Sequence, residues 1–206
     1  MRHVYWIGGG SGAGKSTVAR RLATEHDLIP YPTDDAMRDH AGRSTPEDSP
    51  LLSDFITMDM DQRWVHRPPD VMLETFHWFQ GEGFGLIVQD LRRLARDDER
   101  GVLAEGFRLL PHLVKPLLED RRHAVWLLPT AEFRRAAFES RGSTWQIAGR
   151  TSDPERALRN LLERDRMFTE RLREETRRLD LPAIDVDITT TEDELTDRVA
   201  TAFALR

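Results

Sequence analysis

The chain has 206 residues, 39% hydrophobic and 32% charged, with a formal net charge of −6 and no cysteine. That length suits one α/β domain with a small appendage. The acidic balance argues against nucleic acid as a partner, the missing cysteines exclude disulfides and thiolate metal sites, and no apolar run approaches the roughly 20 residues of a membrane span.

His3-Val4-Tyr5-Trp6-Ile7 is a short apolar run rich in β-formers, the pattern of a buried parallel strand. The chain enters it almost at once, which leaves no room for a signal peptide, so a cytoplasmic protein is expected. Gly9-Gly10-Ser11-Gly12-Ala13-Gly14-Lys15-Ser16 follows, with Thr17 after it. It fits G-x-x-x-x-G-K-[ST], the phosphate-binding P-loop. Glycines remove the Cβ atoms that would block a polyphosphate and permit positive φ, so that successive N–H groups form an anion nest. Gly10, Ser11, Gly12, Ala13, Gly14, Lys15, Ser16 and Thr17 are the expected nucleotide-binding residues, with Lys15 also a catalytic charge on the β and γ phosphates and the Ser16 hydroxyl on Mg²⁺. Val18, Ala19, Leu22 and Ala23 then recur at helical spacing, giving the strand, loop and helix order the motif requires.

That helix should end near His26, before a second strand at Leu28-Ile29-Pro30-Tyr31-Pro32. Asp34 and Asp35 come just past its carboxyl end, where open α/β sheets bind ligands. Either carboxylate suits proton abstraction from a substrate hydroxyl or the magnesium shell, and Asp35 also suits substrate contact. The competing role is capping of the helix that starts at Ala36-Met37-Arg38. Arg38 lies one turn on, placed to hold an anionic substrate group or to pair with the aspartates.

Residues 42–80 read as a proline-punctuated, partly helical substrate cap. Arg63, Trp64 and Arg67 are its candidate substrate contacts, set against the plainer role of Trp64, Phe76, Trp78 and Phe79 as core packing. A helix is expected from Asp70 through Phe79. Gly81-Glu82-Gly83-Phe84-Gly85 reads as a joint, and Leu86, Ile87, Leu91, Leu94 and Ala95 as the stripe of the next helix.

Gly101-Val102-Leu103-Ala104-Glu105-Gly106 is a third strand with the form of a Walker B element. Glu105 is its catalytic and metal-shell candidate, against the alternative of an ordinary strand-end ion pair. His123 to Pro129 is the fourth strand, and Thr130 caps the helix after it. Ser152-Asp153-Pro154-Glu155 opens a long helix as a capping box with proline in its first turn. Residues 134–165 read as an arginine-rich lid. Arg134, Arg141, Arg150 and Arg164 are its candidates for phosphate or the transferring phosphoryl group, while Arg171, Arg173, Arg177 and Arg178 read as a solvated face. Leu181 to Asp187 is the fifth strand, and Thr191 opens the last helix.

The P-loop, the aspartates after strand two and the arginine-rich segment ahead of a capped helix together resemble the small P-loop kinases. That group includes nucleoside monophosphate, gluconate, shikimate and 2-phosphoglycerate kinases and antibiotic phosphotransferases. Asn160-Leu161-Leu162-Glu163-Arg164-Asp165 is similar to the lid-side segment of cytidylate-type kinases, and Glu105-Gly106 to the strand-three ending of 2-phosphoglycerate-kinase-like proteins. The resemblance implies a P-loop NTPase fold throughout residues 1–206, with a five-stranded parallel sheet in the order 2-3-1-4-5 flanked by helices. It implies ATP and Mg²⁺, since the GTPase motif Asn-Lys-x-Asp is absent, and transfer of the γ-phosphate to a small-molecule acceptor by a monomer or homodimer. The alternatives are a nucleoside or nucleotide kinase, and a regulatory or toxin-like P-loop protein with low turnover.

Overall fold

The computed structural model describes residues 1, 3–141 and 147–205. A five-stranded parallel sheet carries the chain in the order β2-β3-β1-β4-β5. Its strands are β1 (Val4–Gly9), β2 (Ile29–Pro32), β3 (Val102–Glu105), β4 (Ala124–Pro129) and β5 (Ala183–Val186). This is the α/β sheet that the P-loop resemblance implies.

Burial explains the order. Every residue of β3 and β4 is buried, as strands covered by helices on both faces must be. β2 pairs only with β3, and its Pro30 and Pro32 are tolerated there because an edge strand need not donate on its outer side. Alternation then sorts the core. Val4, Trp6, Val102, Ala104, Trp126 and Leu128 face one layer. Ile7, Leu103, Val125 and Leu127 face the other. The buried Trp126 indole N–H donates to Leu109 O at 2.8 Å.

Helix α1 (Lys15–Glu25) packs on the second face together with the last helix, α10 (Glu192–Phe203). On the first face lie α6 (Phe84–Asp97) and the long α9 (Pro154–Arg178). Thr191 caps α10 by accepting from Glu194 N, as its capping box predicts, whereas α9 is capped one residue later than the Ser152-x-x-Glu155 box implies: Asp153 accepts from Arg156 N, which puts Pro154 at the first helical position. Between β2 and β3 the chain builds α2 (Met37–Arg43), α3 (Pro50–Thr57), α4 (Met60–Trp64) and α5 (Pro69–Thr75). Trp64, Val65 and Met72 seat this group on Ala157 and Leu161 of α9. The helix expected from Asp70 to Phe79 is interrupted: Phe76 takes an extended backbone (ψ 106) and a 3₁₀ turn, His77–Gln80, follows. The described elements also include α7 (Pro111–Val114), the 3₁₀ turns Lys115–Leu117 and Arg121–His123, and α8 (Ala131–Arg141). Among the described residues no helix is long and apolar enough to cross a membrane.

Candidate active site

The loop between β1 and α1 has the backbone its spelling demands. Gly14 caps α1 in the left-handed region, at φ 82, and no side chain caps the helix. The first N–H groups of α1 are therefore left for an anion, at the positive end of the helix dipole. Lys15 is 8% exposed and its Nζ donates to Gly10 O at 2.7 Å. A Cβ on Gly12 would touch Ala137 and Arg134 of α8, at 3.5 and 3.9 Å, so α8 lies along the loop's outer side.

Sheet register brings the acidic candidates to this loop. Glu105 ends β3 opposite Ile7 of β1 and Pro32 of β2. The chain then turns at Gly106, where φ is 149 and a Cβ would run into Thr33 Oγ1, so only glycine fits. Glu105 is buried, and burial raises its carboxyl above the usual range, while Lys15 and a hydrogen bond from the Ser16 hydroxyl pull it down. Asp34 and Asp35 follow β2, with side chains that reach solvent at the crevice mouth. Protein crowded around Asp34 raises its carboxyl, Lys15 and Arg108 pull it down, and Asp35 pushes it up. Neither aspartate caps α2, whose N-cap is Ala36 with no side-chain cap bond. Both carboxylates are thereby released from the structural role that competed for them.

Mg²⁺ is commonly held through one or two carboxylates, with phosphate oxygens and water completing the shell. The Ser16 hydroxyl and Glu105 carboxylate, in contact beside Lys15, fit that pattern. Among the described residues no cluster of three or more His, Asp or Glu side chains is placed to hold a metal by itself.

Two of the candidate arginines converge on one carboxylate. Arg134 of α8 and Arg164 of α9 both pair with Asp165, Arg164 through Nε at 2.7 Å. All three are buried, at 2%, 6% and 3% exposure. Burial pushes both guanidinium groups below their ordinary value, and Arg164 presses further on Arg134. The three charges thus meet in a desolvated place, where each depends on the others. Arg164, Asp165 and Ser11 also line a cavity of about 340 Å³ that opens beneath residues 55–79. Trp64 lines the same cavity.

The other arginines lie elsewhere. Arg63 donates to the carbonyls of Phe55 and Ile56, both at 3.0 Å, and closes the end of α3. Arg67 is held by Met58 Sδ at 3.0 Å and by Thr75 Oγ1. Arg38 is exposed and makes no ion pair with Asp34 or Asp35, and Arg150 is exposed. Arg141 ends α8, and its side chain falls outside the described residues.

One residue that sequence reasoning passed over sits behind Asp34. Arg108 is 2% exposed, lies 4.0 Å over the Trp78 ring, and donates to Thr33 O at 3.2 Å and to His40 Nδ1 at 3.0 Å. A guanidinium only donates, so His40 Nδ1 must accept, which places the imidazole proton on Nε2, bonded to Asp90 Oδ2 at 2.8 Å. Asp90 also accepts from the Tyr31 hydroxyl at 2.9 Å and from Arg43 at 3.2 Å. This chain fixes the start of α2, and with it the backbone that carries Asp34. The only sequence signal was the position of Arg108 three residues past Glu105.

No family model matches the chain, and no curated protein matches it. Among solved structures it is similar to an uncharacterized protein from Eubacterium ventriosum ATCC 27560, with a TM-score of 0.50 and 15% identity over 100% of both chains. It is also similar to a gluconokinase from Sinorhizobium meliloti 1021, with a TM-score of 0.48 and 16% identity over 99% of this chain and 94% of that one. At such identities the likeness is one of fold.

Proposed function

We propose that the chain is a kinase that moves the terminal phosphoryl group of ATP to a hydroxyl of a small acceptor. The observation that carries this reading is that one crevice joins three parts. An uncapped helix start holds Lys15, two acidic strand ends hold Asp34 and Glu105, and a buried arginine pair meets at Asp165, whose neighbour Arg164 lines a cavity together with Ser11. A phosphate-binding loop alone would serve any nucleotide binder. A cavity sharing residues with its phosphate end is what a second substrate needs.

The roles follow from position. The P-loop amides and Lys15 hold the phosphates, while Ser16 and Glu105 would hold Mg²⁺, which when bound would supply charge neutralisation at the phosphate oxygens. Arg134 and Arg164, held together on Asp165, stabilise the equatorial oxygens. Asp34 takes the hydroxyl proton as the acceptor oxygen bonds to the γ-phosphorus, and the bridging bond to the β-phosphate breaks with its electron pair leaving on ADP. Asp35 is the adjacent alternative for the base. Arg38, Arg63 and Arg67, which a nucleotide acceptor's phosphate would need, do not border the cavity. That favours a small-molecule acceptor over a nucleoside monophosphate.

The test is ADP release from Mg-ATP across an acceptor library, with Lys15→Ala as control. Acceptor-dependent release that disappears in the variant supports the assignment. ATP binding without release for any acceptor points to the regulatory alternative.

A further inference from the structure

Six aromatic rings, those of Phe55, Trp64, Phe76, Trp78, Phe79 and Phe107, line the cavity of about 340 Å³. They brace one another edge to face: Phe55 meets Trp64 at 72° and Phe76 at 71°, with centroids 5.5 Å apart in both, and Phe76 meets Phe79 at 78° and 4.8 Å. Such an array is stiff and offers ring edges and faces to whatever enters. The volume lies within the range of small-ligand pockets.

The walls also hold two polar groups in need of a partner. His77 and Arg164, 2% and 6% exposed, both line the cavity. Nδ1 of His77 and Nη1 of Arg164 are buried with no hydrogen-bond partner among the described residues. Leaving such atoms desolvated and unpaired is unfavourable. They sit in a wall otherwise made of rings, with Arg164 at the phosphate end beside Ser11 and Asp165.

From this wall we infer that the acceptor is an aromatic alcohol, with a benzenoid or indole-like ring among the six side chains and its hydroxyl toward Ser11. The hydroxyl depends on the phosphotransferase reading; the ring does not. A polyol or sugar acid needs a partner for each oxygen, and the ring-lined walls cannot supply them. A nucleobase presents several donors and acceptors on its edge, and in the ring-lined part only His77 answers. An arene with one or two polar substituents matches both the rings and the sparse polar atoms.

The test measures binding without nucleotide. Ligand-observed saturation-transfer NMR on the full chain would compare tryptophol and 4-nitrobenzyl alcohol with gluconate and adenosine. The aryl alcohols are expected to bind about tenfold more tightly than either, and Trp64→Ala to weaken them by a similar factor. Should Trp64→Ala fold poorly, Phe107→Leu, at a partly exposed position, supplies the second variant. Equal or tighter binding of gluconate or adenosine, unchanged affinity in both variants, or no aryl alcohol binding at all would overturn the inference. ADP release is then measured separately. Aryl alcohols that bind but never raise ADP release from Mg-ATP sink the kinase reading and leave the ring site standing. Gluconate-dependent release does the reverse.

Discussion

Arg134 and Arg164 reach the same carboxylate, Asp165, from two different helices, and all three side chains are buried. Asp165 is therefore a counter-charge that two guanidinium groups share, each of which stays protonated. Asp165→Asn keeps the shape and removes the charge. Breaking a buried ion pair in this way costs roughly 3–5 kcal/mol. Urea unfolding should show a loss of that size, and a loss below about 1 kcal/mol would mean that water already screens the pair. Arg164→Met should leave ATP affinity near that of the parent and lower turnover about a hundredfold or more, the usual effect of removing one preorganised donor from a developing anion.

Glu105 and the Ser16 hydroxyl are in contact beside Lys15. If they carry the metal shell, Glu105→Gln should abolish the increment that Mg²⁺ adds to nucleotide affinity. Affinity for metal-free ATP should stay the same or rise, because a buried negative charge next to the phosphates is gone. Calorimetric titration with and without Mg²⁺ measures both. An unchanged magnesium increment removes Glu105 from the metal role.

How far the sequence could be read depended on the range of each interaction. The P-loop was legible because its chemistry is written in contiguous residues, and Glu105 and Asp34 because a strand end is a local signal. The surroundings of Arg63 and Arg67 could not be read in sequence because the groups that take them, the carbonyls of Phe55 and Ile56 and the sulfur of Met58, are placed only once α3, α4 and α5 have packed. Arg108 stayed invisible for the same reason: His40 lies 68 residues away and Thr33 75. The interruption at Phe76 was hidden as well. Its sequence neighbourhood reads as one helix, yet the turn at His77–Gln80 swings Phe76, Trp78 and Phe79 into one wall. Phe76, Trp78 and Phe79 each read equally well as core, and only the fold shows that they border a common space with Phe55, Trp64 and Phe107.

The Asp34 carboxyl is raised above its ordinary value by the protein crowded around it. A raised carboxyl keeps its proton to higher pH, so a base at this position loses activity as pH falls, beginning above the range of an ordinary aspartate. The acidic limb of kcat should lie above the reference near 3.9. Asp34→Asn should lower turnover far more than ATP affinity and remove that limb. If the limb survives in Asp34→Asn and vanishes in Asp35→Asn, the base is Asp35.

His77 bears on stability with the opposite sign. Burial, helped by the charges of Arg108 and Arg63, lowers its pKa from 6.5 to about 3. Between those values the unfolded chain holds a proton that the folded chain refuses. The stabilisation is therefore complete above about pH 6.5 and is lost as pH falls toward 3, by up to about 1.4 kcal/mol per pH unit while the difference lasts. His40, also lowered chiefly by burial, adds in the same direction. Asp34 and Glu105, both raised, act against it and gain from protonation as pH falls. Urea midpoints from pH 7 to pH 4 should fall more steeply for the parent than for His77→Phe, which keeps a ring in the wall and has nothing to protonate. Equal slopes would mean that the imidazole reaches water in the folded state and titrates as a free histidine does.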